Sequence, residues 1–401
     1  MPVSWPDVVR EATARYETPI YIFASAPIAD ALVELGALEA NLRLPVRHWF
    51  SLKTQPVAPV IRWWRDRGWG VEVVSQCELV AALQEGFAPD SILINGVGKH
   101  AWLPLFSTRG LRVHFDSRRE VEALAAHACK VGWHVGIRCH VPDEHDPDEP
   151  IFGGQFGMTQ AEVAESLELL RLVGLVPESV HFHIGSNVTE PLAYGRSLAE
   201  VARLCASVRF SPGFVDCGGG LPVPGEPLQV QGGRPASVDF SAMRRLLGDI
   251  PVLFPDAREV WLENGRFVTS RSGVLVVRVL DIKDRSDSRY LICDGGRTNH
   301  AIVSDWETHE VSCIPHRDGP TCPTTVCGPT CMAFDRLLRA FLPSDIQVGD
   351  YIVWHNAGAY HVSWETRFSH GLATVLWYDD ACNILVARAA ESPSEWWARW
   401  L

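Results

Sequence analysis

Between about residue 45 and residue 270 the chain repeats one pattern: a short apolar run, a loop, then a stretch with helical spacing. VRHWFSLK leads into PVAPVIRWWRDRG, and WGVEVVS leads into QCELVAALQEG. SILING, LRVHFDS, WHVGIRC, SVHFHIGS, FVDCGGG and REVWLENG continue the series. Strands that alternate with helices predict a parallel sheet, because parallel neighbours must be joined by a long crossover. About eight such strands in roughly 225 residues suit a closed (β/α)8 barrel, with an open doubly wound sheet as the alternative. No G-x-G-x-x-G follows the first strand, which argues against dinucleotide binding.

From about residue 271 the texture changes. SGVLVVRVLDIKD, YLICDGG, DYIVWHNAGAY and ACNILVARA are β-rich and separated by turn residues, so a second, β domain is expected. The expected division is a barrel over 25–270 and a β domain over 271–401, with 1–24 contributing to the latter through TPIYIF. A chain of 401 residues is long enough for both. HVPDEHDPDEP (140–150) reads as a solvated loop, with a metal site there the less favoured reading. SEWWARWL reads as an amphipathic helix.

The formal net charge is −12, which leaves no electrostatic footprint for nucleic-acid phosphates or anionic membrane. Small molecules or other proteins are the expected partners. No uninterrupted apolar run reaches the length of a membrane span, and the first residues lack an apolar signal core. A cytoplasmic location is expected. The eleven cysteines then read as reduced thiols, most of them small buried hydrophobes.

Barrels of this kind carry their chemistry at the C-terminal ends of the strands. Lys53 in WFSLKTQ falls there, where desolvation would lower its pKa and make it an amine nucleophile. His181 and His183 in HFHIGSN share a strand face, and Gly185 and Ser186 open a turn able to hold an anion. Gly218, Gly219 and Gly220 let the backbone approach a ligand closely. In ENGR, Glu263 and Arg266 either pair together or serve two ends of one ligand. CGPTCMAFD (327–335) admits three readings: a metal clip, a disulfide, or a cysteine placed for acid–base work. Tyr360 follows a small-residue turn in NAGAY. Singly, each feature reads as structural. In order, a reactive lysine, two anion cradles, a strand-end carboxylate and an arginine describe a pyridoxal phosphate site.

The motif order, from TPIYIF to FSHG, resembles the fold-type III pyridoxal phosphate decarboxylases, the group of ornithine, arginine and diaminopimelate decarboxylases. The resemblance implies an alanine-racemase-like (β/α)8 TIM barrel followed by a C-terminal β domain, in a head-to-tail homodimer with shared active sites. It implies Lys53 as the Schiff-base residue and Glu72 where the family has aspartate. It implies His183 stacked on the cofactor ring with Arg138 behind it. Ser186, Gly218, Gly219, Gly220, Arg266 and Tyr360 become phosphate contacts, and Glu263 the partner of the pyridine nitrogen. The family's EPGR is here ENGR, with Asn264 in place of proline. A carboxylate at the pyridine nitrogen also separates the chain from alanine racemases, which place an arginine there.

CGPTCMAFD resembles the family's GPTC-x-x-x-D motif, whose cysteine protonates the carbanion in the neighbouring subunit's site. Cys331 takes that role by resemblance, with an ordinary thiol pKa of about 8.5. A zinc clip would need a second ligand pair, and a disulfide is disfavoured in a reducing compartment. In members acting on basic amino acids the next residue is acidic; here it is Met332, which cannot pair with an ammonium group. Asp294 stands in CDGGRTNHA, where the family places its other substrate-reading carboxylate. DGG-x-x-x-H resembles biosynthetic members acting on modified or carrier-tethered amino acids. The expected substrate is therefore an amino acid, free or bound to a carrier protein, of natural-product or siderophore biosynthesis. The alternatives are a basic amino acid (ornithine, lysine or diaminopimelate), racemisation on the same fold, or a non-catalytic relative.

Overall fold

The computed structural model describes residues 3–141, 154–225, 227–228, 234–236, 238–286, 288–300, 303 and 307–401. The acidic stretch expected as a loop at 140–150 lies outside them from residue 142 on. The chain divides into two compact units. One comprises Leu32–Pro224 and Ala236–Phe267; the other comprises Met1–Ala31, Gly225–Pro235 and Val268–Leu401.

The first unit is a closed barrel of eight parallel strands, as the alternation predicts. They are β1 (Val46–Ser51), β2 (Gly70–Val73), β3 (Ile92–Ile94), β4 (Arg112–Phe115), β5 (His134–Arg138), β6 (Ser179–His181), β7 (Phe214–Asp216) and β8 (Glu259–Asn264). Closure is direct: β8 pairs in parallel with β1, setting Glu263 opposite Trp49, and with β7 on its other side. Several crossovers start on a side-chain cap. Ser75 accepts from the Glu78 N–H, Ser117 from Glu120, and Thr159 forms a capping box with Glu162. Each cap satisfies an amide that the first helical turn would leave without a partner. Trp49, Leu93 and Trp261 plug the barrel, with Phe214 stacked on Trp261 at 4.8 Å. Side chains alternate along a strand, so residues two beyond this aromatic layer form the next inward layer toward the C-terminal rim. On β1 that residue is Ser51, and on β8 it is Glu263.

The second unit is a nine-stranded sheet built along the long strand Gly273–Asp284. Ile20–Ala24 pairs antiparallel with that strand and parallel with Thr374–Tyr378. Val8, Val9, Ile20, Ile22, Val274, Val276, Val353 and Leu376 bury together on one face. The stretch near the C-terminus forms the helix Pro393–Ala398 behind a Ser392–Glu395 capping box.

All eleven cysteines are free thiols, but only Cys139, Cys205, Cys217 and Cys293 are buried. The expectation that most serve as buried hydrophobes is corrected: cysteines on outward helix faces and in turns meet solvent. No helix among the described residues is long and apolar enough to cross a membrane.

Candidate active site

Strand β1 ends at Ser51 and the chain turns at once into Leu52–Thr54, which carries Lys53. Lys53 Nζ lies 3.0 Å from Glu72 Oε2, and the Ser51 hydroxyl donates to the same oxygen. The Lys53 side chain keeps 41% of its area exposed. The desolvation expected of this amine is therefore corrected: it stands partly in solvent against the buried Glu72 carboxylate. The chain has four lysines. Lys99 is fully buried against Glu120 at 2.7 Å, and Lys130 and Lys283 are exposed. Lys53 alone stands at the C-terminal rim with its amine accessible.

Beneath the rim, Glu263 is buried and accepts a hydrogen bond from the Asn95 amide. Asn95 Oδ1 in turn accepts from His114 Nδ1 at 2.9 Å, which leaves His114 Nε2 to accept from the Ser179 hydroxyl at 2.8 Å. His181 Nε2 lies 3.3 Å from Glu263 Oε1. Asp216 Oδ1 accepts from the Gly218 N–H at 2.9 Å. Burial, reinforced by the charges of Asp216 and Glu72, pushes the Glu263 carboxyl well above the usual carboxylate range. Burial likewise raises Asp216 to about 7. It lowers His114 to about 3, with the charges of Lys99 and Arg138 acting in the same direction.

Two loops meet above this layer. The Gly219 N–H donates to His183 Nδ1 at 3.2 Å, and the Tyr194 hydroxyl donates to Gly219 O at 2.6 Å. A Cβ on Gly219 would stand 2.3 Å from Glu263 O, and one on Gly220 would stand 2.4 Å from Gly185 O. Only glycine admits this approach, and Gly218 and Gly220 also take positive φ angles. Burial and the nearby Arg138 and Lys53 charges bring His183 down to about 3, so its ring is neutral. Ser186 is exposed on the neighbouring turn, and Asn187 Oδ1 is buried there with no hydrogen-bond partner. Arg266 is buried and opens the short helix Arg266–Thr269. Asn264 turns its amide to His48 Nδ1 at 2.7 Å. Arg138 pairs with Asp116 at 3.3 Å, its guanidinium 4.6 Å above the Phe156 ring.

The barrel unit thus brings together Lys53, Arg138, His183, Ser186, Gly218, Gly219, Gly220, Glu263 and Arg266. The β unit carries Asp294, Cys331, Met332 and Tyr360. Cys331 is exposed, with φ +59°. Its turn is held by buried Asp335, which accepts from the Thr330 N–H at 3.0 Å, the Thr330 hydroxyl at 2.6 Å and the Arg297 N–H at 2.8 Å. Met332 is exposed. Both Asp294 oxygens are engaged, one by the Thr18 hydroxyl at 2.5 Å and one by the Arg278 N–H at 2.8 Å. Tyr360 takes φ +67° ahead of the helix His361–Trp364. Sequence reasoning missed Ser51, Asn95, His114 and Asp216. Their signal was a polar residue inside or ending an otherwise apolar strand.

Residues 33–270 match the family model described as pyridoxal-dependent decarboxylase, pyridoxal binding domain. The chain belongs to this family. It is a pyridoxal-phosphate-dependent carboxy-lyase. Among its relatives, a diaminopimelate decarboxylase of Archaeoglobus fulgidus is 28% identical over 371 residues, covering 88% of this chain and 85% of the relative. A lysine/ornithine decarboxylase of Selenomonas ruminantium is 26% identical over 367 residues, covering 86% of this chain and 87% of the relative. The crystal structure of diaminopimelate decarboxylase from Helicobacter pylori complexed with L-lysine superposes with a TM-score of 0.83 at 23% identity. It covers 98% of this chain and 99% of that one, a likeness of fold.

The decarboxylase's own residues fit its cofactor. Among Lys53, Glu72, Arg138, Asp116, Asp216 and Glu263 the two cations already face Glu72 and Asp116. Two buried carboxyl groups remain, an arrangement that favours a cationic guest such as a protonated ring nitrogen. The three glycines let the loop close on the Phe182, Glu263 and Gly185 carbonyls beside these carboxyl groups.

Proposed function

We propose that this decarboxylase removes the α-carboxylate of a basic amino acid, of the kind named for its diaminopimelate and lysine/ornithine relatives. The observation that carries the catalytic part is buried Glu263, held from below by the Asn95–His114–Ser179 chain in a carboxylate-rich barrel layer. When bound, pyridoxal phosphate supplies an electron sink conjugated to the substrate's α-carbon.

Lys53 is the amine that holds the cofactor and later displaces the product. Glu72 accepts from Lys53 Nζ at 3.0 Å and so orients it. Glu263 would give its proton to the cofactor's ring nitrogen and, as a carboxylate, keep that nitrogen charged, with Asp216 in the same buried group. The backbone of Gly218, Gly219 and Gly220, with Ser186 and Arg266, would hold the phosphate. His183 offers a flat neutral ring to the cofactor face and Arg138 closes the other side. Cys331 Sγ returns the proton to the α-carbon in the site of a partner subunit, its turn fixed by Asp335. That role requires a homodimer.

Relatives named for diaminopimelate and for lysine/ornithine support a basic substrate over the modified or carrier-bound one expected from Met332. Met332 keeps the second reading in play, because it supplies no charge to a distal ammonium and both Asp294 oxygens are engaged. CO2 release from lysine, ornithine, arginine and meso-diaminopimelate, beside carrier-bound aminoacyl groups, separates them. Turnover of a basic amino acid is expected. Turnover of carrier-bound or uncharged substrates alone would contradict the proposal, and a product that keeps its carboxylate would indicate racemisation.

A further inference from the structure

The β unit contains a second polar cluster that decarboxylation does not use. His300, His309 and His361 come from three separate segments, and all are buried, at 1%, 8% and 0% exposure. Each can offer one ring nitrogen such that the three nitrogens lie within 4.8 Å of one another. His300 Nδ1 and His361 Nε2 are 3.0 Å apart, and Glu307 Oε2 lies 3.3 Å from His309 Nε2. A tetrahedron with metal–nitrogen bonds of about 2.0–2.1 Å has edges of about 3.3–3.4 Å, close to both separations.

The outer contacts of the rings fit the same reading. His309 Nδ1 donates to His355 O at 2.8 Å, and His361 Nδ1 donates to Ala359 O at 3.0 Å. Both protons are thereby fixed on Nδ1, and both Nε2 lone pairs turn into the cluster. Backbone carbonyls that orient ligating imidazoles in this way are the usual outer shell of a metal site.

We propose that His300, His309 and His361 bind one divalent transition-metal ion, zinc by preference, with the Glu307 carboxylate, 3.3 Å from His309 Nε2, turning in on binding to close the site as fourth donor. Three imidazoles and one carboxylate suit zinc over the oxygen-seeking magnesium or calcium. On binding, the metal takes His361 Nε2 and His300 Nδ1 in place of the hydrogen bond between them, and the His300 proton moves to Nε2. The site ties the helix Arg297–His300 to the start of the helix His361–Trp364, and so fixes the segments that follow Asp294 and Tyr360. This inference does not depend on which amino acid is decarboxylated.

The test is metal analysis of the cofactor-loaded enzyme from zinc-supplemented cells, after exhaustive dialysis against metal-free buffer. About one zinc per chain is expected. His309→Ala and His361→Ala should each fall to background while retaining the cofactor's absorbance. Glu263→Gln, which alters the other buried histidine–carboxylate group, should keep its zinc. Should the alanine variants not fold, cobalt(II) added to chelator-treated wild-type enzyme decides alone, through the visible bands of four-coordinate cobalt. Wild-type protein that holds no metal after zinc exposure, cobalt that stays octahedral, or zinc that persists in His309→Ala would overturn the proposal.

Discussion

The two units each bury a triad of the same size and opposite character. In the barrel, His181, Asp216 and Glu263 lie with their polar atoms within 4.8 Å of one another; in the β unit, His300, His309 and His361 do the same. Spacing does not distinguish them, but charge does. Two carboxyl groups and one imidazole hold excess protons and favour a guest that brings a positive charge. Three imidazoles, two of them with Nδ1–H tied to backbone carbonyls, turn lone pairs inward and favour a metal. The neighbours reinforce the contrast. Asn95 and His114 brace the barrel triad with side chains, whereas backbone carbonyls of Ala359 and His355 orient the β-unit rings. Burial alone therefore does not specify a site; the sum of proton donors, acceptors and charges within it does.

The largest break in this comparison is expected at Lys53. Lys53→Ala should lower kcat by roughly 10³-fold or more and abolish the cofactor's absorbance, as read by steady-state kinetics and a visible spectrum. Glu263→Gln comes next. It removes the charge opposite the ring nitrogen but keeps a polar side chain, so kcat should fall about 10²–10³-fold with the cofactor still bound. Cys331→Ala should cost about 10²-fold in product formation, with the carboxylate still lost and the defect confined to reprotonation. Solvent-deuterium incorporation at the α-carbon measures that step.

The smallest effect concerns His114 and pH. Its folded pKa of about 3 lies below the ordinary 6.5. Between those values the unfolded chain binds the proton that the buried ring refuses. Its contribution to stability is thus fully present above pH 6.5 and is lost as pH falls toward 3, at about 1.4 kcal/mol per pH unit at most. Asp216, raised to about 7, acts in the opposite direction over part of that window. The sharp readout is therefore a difference. Denaturant midpoints of His114→Gln should fall less steeply than those of the wild type between pH 6.5 and 4.

The barrel was legible because alternation of strand and helix is a local property repeated eight times. Lys53, the glycine loop and ENGR were legible because each sits at the end of such a unit. Asn95, His114 and Asp216 were not, since one polar residue in an apolar run looks like ordinary strand until the closed barrel brings them around Glu263. The β-unit trio was harder still. His300 and His361 are 61 residues apart and meet only through sheet topology. Met332 shows the converse case: it is a departure visible locally in the sequence, while the relatives are named for basic amino acids.

The central claim is that the acid-rich barrel layer seats the cofactor and that Lys53 holds it. Borohydride reduction of the pyridoxal-phosphate-loaded enzyme, followed by peptide mass spectrometry, tests it directly. The account predicts a single phosphopyridoxyl adduct, on the peptide containing Lys53. An adduct on Lys99, Lys130 or Lys283, or none at all, would contradict it.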